Sequence, residues 1–275
     1  MLELLKAIIL GVVEGLTEYL PISSTGHLLI ASNLLKFQES AGGTFEIFIQ
    51  FGAVLALLFF YGGDLLAQAR VVTTDRRVQR FWLNIVIAVI PAAALGLLLR
   101  NFIKTVLFGS PLVIATSLIV GGIILIAVER LHRHDPPPSD SNPKRLIPDL
   151  TWLQALIIGL AQATALIPGV SRSGASIVGG LLLGLDRASA TNFAFYLAIP
   201  TLGAATLVDL AGSFKTLTSD VLLLMLVGTI VSGVVAAVSV KWLLGYVSHH
   251  TYVPFGVYRI IAGAVILALA AAHVL

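Results

Sequence analysis

The stretch EGLTEYLPISSTGHLL, residues 14–29, breaks an otherwise apolar run with two glutamates, a proline, a serine cluster and a histidine. Upstream of Pro21 the chain is helix-forming and greasy. Downstream, the apolar arm at 26–36 is too short to cross a bilayer core, which takes about 20 helical residues. Residues 2–36 therefore read as two half-helices joined at LPISSTG, entering the membrane and returning on the same side. A second region, 151–185, has the same form: it breaks at IPGVSRSG (167–174), and its arm at 174–185 is again short. Non-helical backbone at membrane depth is tolerated only where protein or a wet cavity surrounds it.

The rest of the 275-residue chain makes that reading natural. It is 57% hydrophobic and 11% charged, whereas soluble domains carry about 25% charged residues. The composition is that of an all-α polytopic membrane protein. Six stretches suit full spans: 44–62, 81–99, 110–129, 192–210, 221–241 and 253–273, with Glu46, Asp209 and Arg259 among their few charges. With no cysteine, disulfide and thiolate chemistry are excluded, and a net charge of +3 gives no case for nucleic acid. Glu14 and Glu18 interrupt the N-terminal apolar run, which argues against a cleaved signal peptide.

The two broken regions align with each other. A shift of 148 lays Ser23-Ser24-Thr25-Gly26 on Ser171-Arg172-Ser173-Gly174, Glu14 on Gln162 and Phe45 on Phe193; Pro111 and Pro254 correspond at a shift of 143. The expected organisation is a first repeat at 1–130, a Pro-, Ser- and charge-rich linker at 131–150, and a second repeat at 151–275. Each half is a re-entrant hairpin plus three spans, and an odd number of spans forces inverted topology. Arg70, Arg76, Arg77, Arg80, Arg130, Arg133, Lys144, Arg145 and Arg187 fall on one face; Lys36, Arg100, Lys104 and Lys215 fall on or near the other. By the positive-inside rule the richer face is cytoplasmic, which places both termini and the first hairpin's mouth outside. The hairpins would then enter from opposite leaflets and meet near mid-membrane.

Glu14 and Glu18, at i and i+4, project from one helix face. Two carboxylates at that depth need a proton or a cation, unless they merely meet water at the interface. Ser23, Ser24 and Thr25 stand at a helix start, where hydroxyls cap and free N–H groups attract anions. His27, three residues past Ser24, lies over the same face and could exchange its proton, or simply make a structural hydrogen bond. Arg172 carries a planar fork suited to phosphate oxygens, or to a salt bridge with Glu14 or Glu18. Gly26, Gly169 and Gly174 allow close approach. An anion with several oxygens next to two carboxylates is reconciled by a divalent cation, since magnesium takes one or two carboxylates together with substrate phosphates. The expected site is metal-assisted phosphoryl transfer. Ser24, or alternatively Ser23, is the nucleophile, His27 its base and acid, Arg172 the stabiliser of the equatorial oxygens, and Glu14 and Glu18 the metal ligands.

Among the remaining polar residues, Glu46 and Gln50 lie where they could line the pocket, although packing is the plainer use for Gln50. Arg259 needs a partner within its apolar span, either a structural one or one at the site. His249 and His250 fall in an inner loop and His132 and His134 in the linker, where solvation is the simpler account.

EGLTEYLPISSTGH (14–27) and PGVSRSGAS (168–176) resemble the two signature regions of the bacterial undecaprenyl-diphosphate phosphatase family of the BacA type. The similarity extends to FEIFIQFGAVLA (45–56) and VPFGVYRIIAG (253–263). The resemblance implies hydrolysis of undecaprenyl diphosphate to the monophosphate, recycling the carrier lipid for cell-wall synthesis, and a link to bacitracin resistance. It also implies dependence on a divalent cation, Mg2+ or Ca2+, an outward-facing site in the bacterial inner membrane, and a homodimer. Carried over by motif, the acidic pair falls on Glu14 and Glu18, the serine and histidine on Ser24 and His27, and the second motif on Ser171, Arg172 and Ser173. Substrate contacts extend to Ser23, Thr25, Gly26, Gly174 and Ser176, the last standing where threonine is expected. SSTGH also looks like part of the phosphatidic-acid phosphatase motif, but the histidine that family needs six residues after its Ser-Arg pair is Val178 here. A carrier or flippase for an anionic lipid or solute is the alternative from another functional class, because broken helices in inverted repeats are common in transporters.

Overall fold

The computed structural model describes residues 1–37, 44–107, 110–131, 147–213 and 219–272. Arg133, Lys144, Arg145, Lys215, His132 and His134 lie outside them, as does most of the linker. Among the described residues the protein is all-helical, without a strand. The helices are α1 (Leu2–Thr17), α2 (Ser24–Leu35), α3 (Thr44–Phe60), α4 (Gly62–Val71), α5 (Arg76–Leu98), the short α6 (Arg100–Phe102) running into a π-turn, α7 (Pro111–Leu131), α8 (Trp152–Ala163), α9 (Arg172–Leu182), α10 (Arg187–Ser213), α11 (Ser219–Val247) and α12 (Val253–Ala271).

Five helices are long and apolar enough to cross a membrane: α5, α7, α10, α11 and α12. The expected span at 44–62 is not straight. α3 ends at Phe60, and the chain turns by 64° into α4, so a sixth crossing exists only if this bent pair counts as one. Tyr61 sits at the bend, fully buried, its hydroxyl donating to Asn192 Oδ1 of α10 at 2.6 Å. Burial of that ring inside the bundle holds the corner that Gly62 and Gly63 allow.

The broken pairs α1/α2 and α8/α9 have arms of about 16–24 Å, each short of a bilayer core. Ser23 (φ 71°, ψ 94°) and Ser171 (φ 72°, ψ 113°) open the second arms and share one left-handed conformation. Apart from Lys36 they are the only described non-glycine residues with positive φ. Lys6 Nζ donates to Lys36 O at 3.3 Å, which brings the start of α1 back to the end of α2. Asn84 near the start of α5 donates to Leu150 O ahead of α8, while Arg187 at the start of α10 pairs with buried Glu129 at the end of α7.

Packing crosses the chain. α1 lies on α11, α8 on α5, and α7 on α12. Close approach needs glycine at equivalent places: a Cβ on Gly11 would stand 2.6 Å from Gly228 O of α11, and one on Gly159 would stand 2.8 Å from Ala88 Cα of α5. The main core gathers Tyr19, Tyr61, Phe81, Phe193, Phe195 and Tyr196 where the two broken pairs meet α3, α5 and α10.

Candidate active site

The break after α1 carries Glu18 just past the helix end, still in α-conformation, with its N–H bonded to Glu14 O at 2.9 Å. Both carboxylates thus leave one face, as i, i+4 spacing requires. Both are buried, Glu14 at 1% exposure and Glu18 at 5%. Their surroundings differ. Glu18 Oε2 accepts the hydroxyl of Ser24 in a short hydrogen bond and lies 3.4 Å from Gln50 Nε2. Its Oε1 receives Arg172 Nε at 3.4 Å and Nη2 at 3.3 Å. No donor among the described residues reaches the Glu14 oxygens; they approach the carboxylate of Glu18 instead, and the charges acting on Glu14 are those of Glu18, Glu46 and Arg172.

Arg172 comes from the other break. It opens α9, and Ser171 before it caps the helix, its Oγ accepting Gly174 N–H at 3.1 Å. Arg172 Nη1 donates to Ala194 O at 3.2 Å, and the guanidinium lies 5.9 Å from the centre of the Tyr19 ring. Ser173 joins the two breaks directly, its Oγ donating to Leu20 O at 2.9 Å. The expected meeting of Arg172 with Glu18 and Ser24 is therefore present in the fold.

A cavity of about 470 Å³ opens beside this cluster. Its polar end is formed by Glu18, Ser23, Ser24, Thr25, Ser171 and Arg172, and Gln50 and Gln162 add amides. The rest of its wall is mainly apolar, with Val89, Ala92, Ala93, Gly96 and Leu97 of α5, Leu202, Ala204, Ala205 and Val208 of α10, and Ile47 of α3. A polar head with an apolar arm suits an anionic lipid.

Several expected site residues stand elsewhere. His27 does not bond Ser24: its Nδ1 meets Ser23 O at 2.7 Å, its Nε2 meets the Tyr258 hydroxyl at 2.6 Å, and the two rings stack at 5.5 Å. It is not part of the cavity wall. The helical offset of three residues, with the side chain leaning back along the helix, carries the ring towards α12 instead. Glu14 lies behind Glu18, off the cavity. Gly26 packs on Ile114 of α7 and Gly174 on the Arg259 side chain. Ser173 is buried in its bond to Leu20, and Ser176 bonds Arg172 O at 3.0 Å and Gln162 Oε1 at 3.4 Å, so both brace the second break rather than face the cavity. Gln50, for which packing was the plainer use, lines the cavity and reaches Glu18. The sequence reading gave no role to Gln162, Tyr19 or Tyr258. Gln162 had a signal, its alignment with Glu14; Tyr258 had none, lying 231 residues from its partner His27.

Two buried carboxylates one turn apart, with no donor on the Glu14 oxygens among the described residues, suit a shared proton or a cation. Among the described residues no group of three or more His, Cys, Asp or Glu side chains converges on one point. A magnesium-type site completed by substrate phosphates needs only one or two carboxylates, so the residues present fit such an ion.

The family described as "Bacitracin resistance protein BacA" matches residues 7–265. The chain is 47% identical over 269 residues to a Methylobacillus flagellatus protein named undecaprenyl-diphosphatase, covering 97% of this chain and 98% of that one. It is 47% identical to undecaprenyl-diphosphatase 1 of Burkholderia lata, with 95% and 94% covered, and 46% identical to an undecaprenyl-diphosphatase of Cereibacter sphaeroides, with 96% of each covered. Matched over nearly its whole length, signature stretches included, the chain belongs to the BacA family of bacitracin resistance proteins.

Proposed function

We infer that this membrane protein hydrolyses undecaprenyl diphosphate to undecaprenyl phosphate and inorganic phosphate. The relatives' shared name and the family carry that reaction. The observation that ties it to particular atoms is the Ser24 hydroxyl bonded to Glu18, with Arg172 on the same carboxylate. A carrier has no need of a hydroxyl poised on a buried base.

In the proposed chemistry the terminal phosphate sits at the polar end of the cavity and the polyprenyl tail runs along its apolar wall. Glu18 takes the proton of Ser24 Oγ, Oγ bonds to the terminal phosphorus, and the bridging P–O bond breaks, its electron pair leaving with the lipid monophosphate. Water then attacks the phosphoserine, the P–Oγ bond breaks, Glu18 returns its proton to Oγ, and the protons of the water leave on the inorganic phosphate. When substrate enters, Arg172 turns from Glu18 to the equatorial oxygens, where charge spreads in the transition state. Ser24 is preferred to Ser23 because it alone bonds the carboxylate. His27 holds the Ser23 carbonyl and supports the first break from outside. A divalent cation, Mg2+ or Ca2+, held by Glu14 and Glu18 would neutralise phosphate charge there.

The proposed topology is an inverted repeat with two re-entrant hairpins. Supporting it are the matched left-handed serines, the equivalent glycine contacts of Gly11 and Gly159, and the reciprocal packing of α1 on α11 and α8 on α5. The Lys6–Lys36 contact favours same-side return of the first hairpin. The basic ends of α4, α5, α7 and α10 support a cytoplasmic face there, and the proposal puts the site and both termini on the outer side of the inner membrane. The homodimer implied by the family resemblance belongs to the same proposal, and the mass of the detergent-solubilised particle tests it.

The deciding experiment measures phosphate release from a polyprenyl diphosphate by purified protein, with and without chelator. Release that stops with chelator and in Ser24→Ala supports the assignment; full release by Ser24→Ala removes Ser24 as nucleophile.

A further inference from the structure

Arg259 lies in α12, one turn past Pro254, and is 2% exposed. Among the described residues no carboxylate pairs with it. Its guanidinium is instead surrounded by five backbone carbonyls from three separate segments. Nη1 donates to Pro21 O at 3.2 Å in the first break. Nη2 reaches Gly169 O at 3.1 Å and Val170 O at 2.8 Å in the second. Nη2 also lies 3.2 Å from Ser117 O, and Nε lies 3.4 Å from Leu118 O, both in α7. The surroundings are shaped for this group: a Cβ on Gly121 would come within 2.7 Å of Cζ, and one on Gly174 within 3.1 Å of Nη1.

A permanent charge buried this deeply demands many oriented dipoles, and the ones it has collected are informative. Pro21 precedes Ser23 by two residues, and Gly169 and Val170 immediately precede Ser171 and Arg172. Both serines hold positive φ, a conformation that persists only when its surroundings over-determine it. The breaks also bond each other directly through Ser173 and Leu20 O, apart from the active-site pair.

We propose that Arg259 is a positioning residue that locks the two breaks in register, so that Arg172 of one meets Glu18 and Ser24 of the other. It touches neither the cavity nor the reacting groups. The proposal rests on the breaks forming the active site. Lysine cannot replace it, because a single ammonium on a shorter stem cannot span carbonyls fanned around a planar fork.

The test compares Arg259→Lys and Arg259→Gln with Arg172→Ala and Ser24→Ala, each purified in detergent and assayed on a polyprenyl diphosphate. For the Arg259 variants kcat should fall about 100-fold, the cost of an ångström-scale misplacement, while KM rises by less than about threefold. Adding Arg259→Gln to Arg172→Ala should cost little more, because the contact being aligned is already gone. Should both Arg259 variants fail to fold, Gly121→Ala displaces the guanidinium without removing it and should lower kcat about tenfold. Parental kcat in the folded Arg259 or Gly121 variants, or a full multiplicative loss in the double variant, overturns the proposal. Turnover retained by Ser24→Ala and Arg172→Ala would overturn the active-site assignment itself, whatever Arg259 does.

Discussion

The two breaks have one backbone and two chemistries. Ser23 and Ser171 adopt nearly the same left-handed geometry ahead of a short helix. At the second break the serine caps its helix, Ser173 bonds across to Leu20, and Ser176 ties Arg172 O back. At the first, Ser23 makes no side-chain cap, and the Ser24 hydroxyl is spent on Glu18. The second break is thus braced by its own hydroxyls and brings Arg172 and Ser171 to the cavity. The first leaves Ser23, Ser24 and Thr25 to the cavity and takes outside support from His27, while Arg259 holds carbonyls of both breaks. A repeated backbone supplies symmetry of shape, and side chains then divide reaction from support.

Removing the reacting hydroxyl should hurt most. Ser24→Ala is expected to lower kcat by about 1,000-fold or more, while Ser173→Ala at the equivalent stretch of the other break lowers it by about tenfold or less. Steady-state phosphate release measures both, and similar losses would erase the division of labour. Glu18→Gln should cost about 100-fold, and part of that loss should recover at high Mg2+; an unchanged cation dependence removes Glu18 from the metal. His27→Gln and Tyr258→Phe, which loosen the first break from outside the cavity, should each cost less than about tenfold. A loss for His27→Gln as deep as that of Ser24→Ala would return the histidine to the role of base. The smallest effect concerns stability: Ser171→Ala loses a cap and should destabilise by about 1 kcal/mol. Ser23→Ala has no cap to lose and should shift stability by under about 0.5 kcal/mol, read as denaturation in detergent.

What the chain reveals by pattern is what depends on near neighbours. Proline with small polar residues announced both breaks, i, i+4 spacing put Glu14 and Glu18 on one face, and self-similarity paired Ser24 with Arg172 as facing positions. Other features depend on partners far along the chain. His27 turns to Tyr258, so the ring that spacing placed over Ser24 serves α12 instead. Tyr61 is held at the end of α3 by Asn192 and Tyr196; Gly62-Gly63 marks a break there, but not the distant partners that fix its angle. Arg259 was visible as a buried charge in need of a partner, but backbone carbonyls leave no trace in side-chain identity.

The crossed packing also orders events during synthesis. α1 rests on α11, and Gly11 meets Gly228, so the amino-terminal hairpin awaits a partner that leaves the ribosome roughly 200 residues later. At about 5–20 residues per second, that delay is on the order of 10–40 seconds. Throughout it, the acidic Glu14 and Glu18 must be sheltered by lipid headgroups, water or the insertion machinery. The nascent chain is therefore most vulnerable at its very beginning, and truncations that remove α11 should strand that first hairpin as a target for membrane proteases.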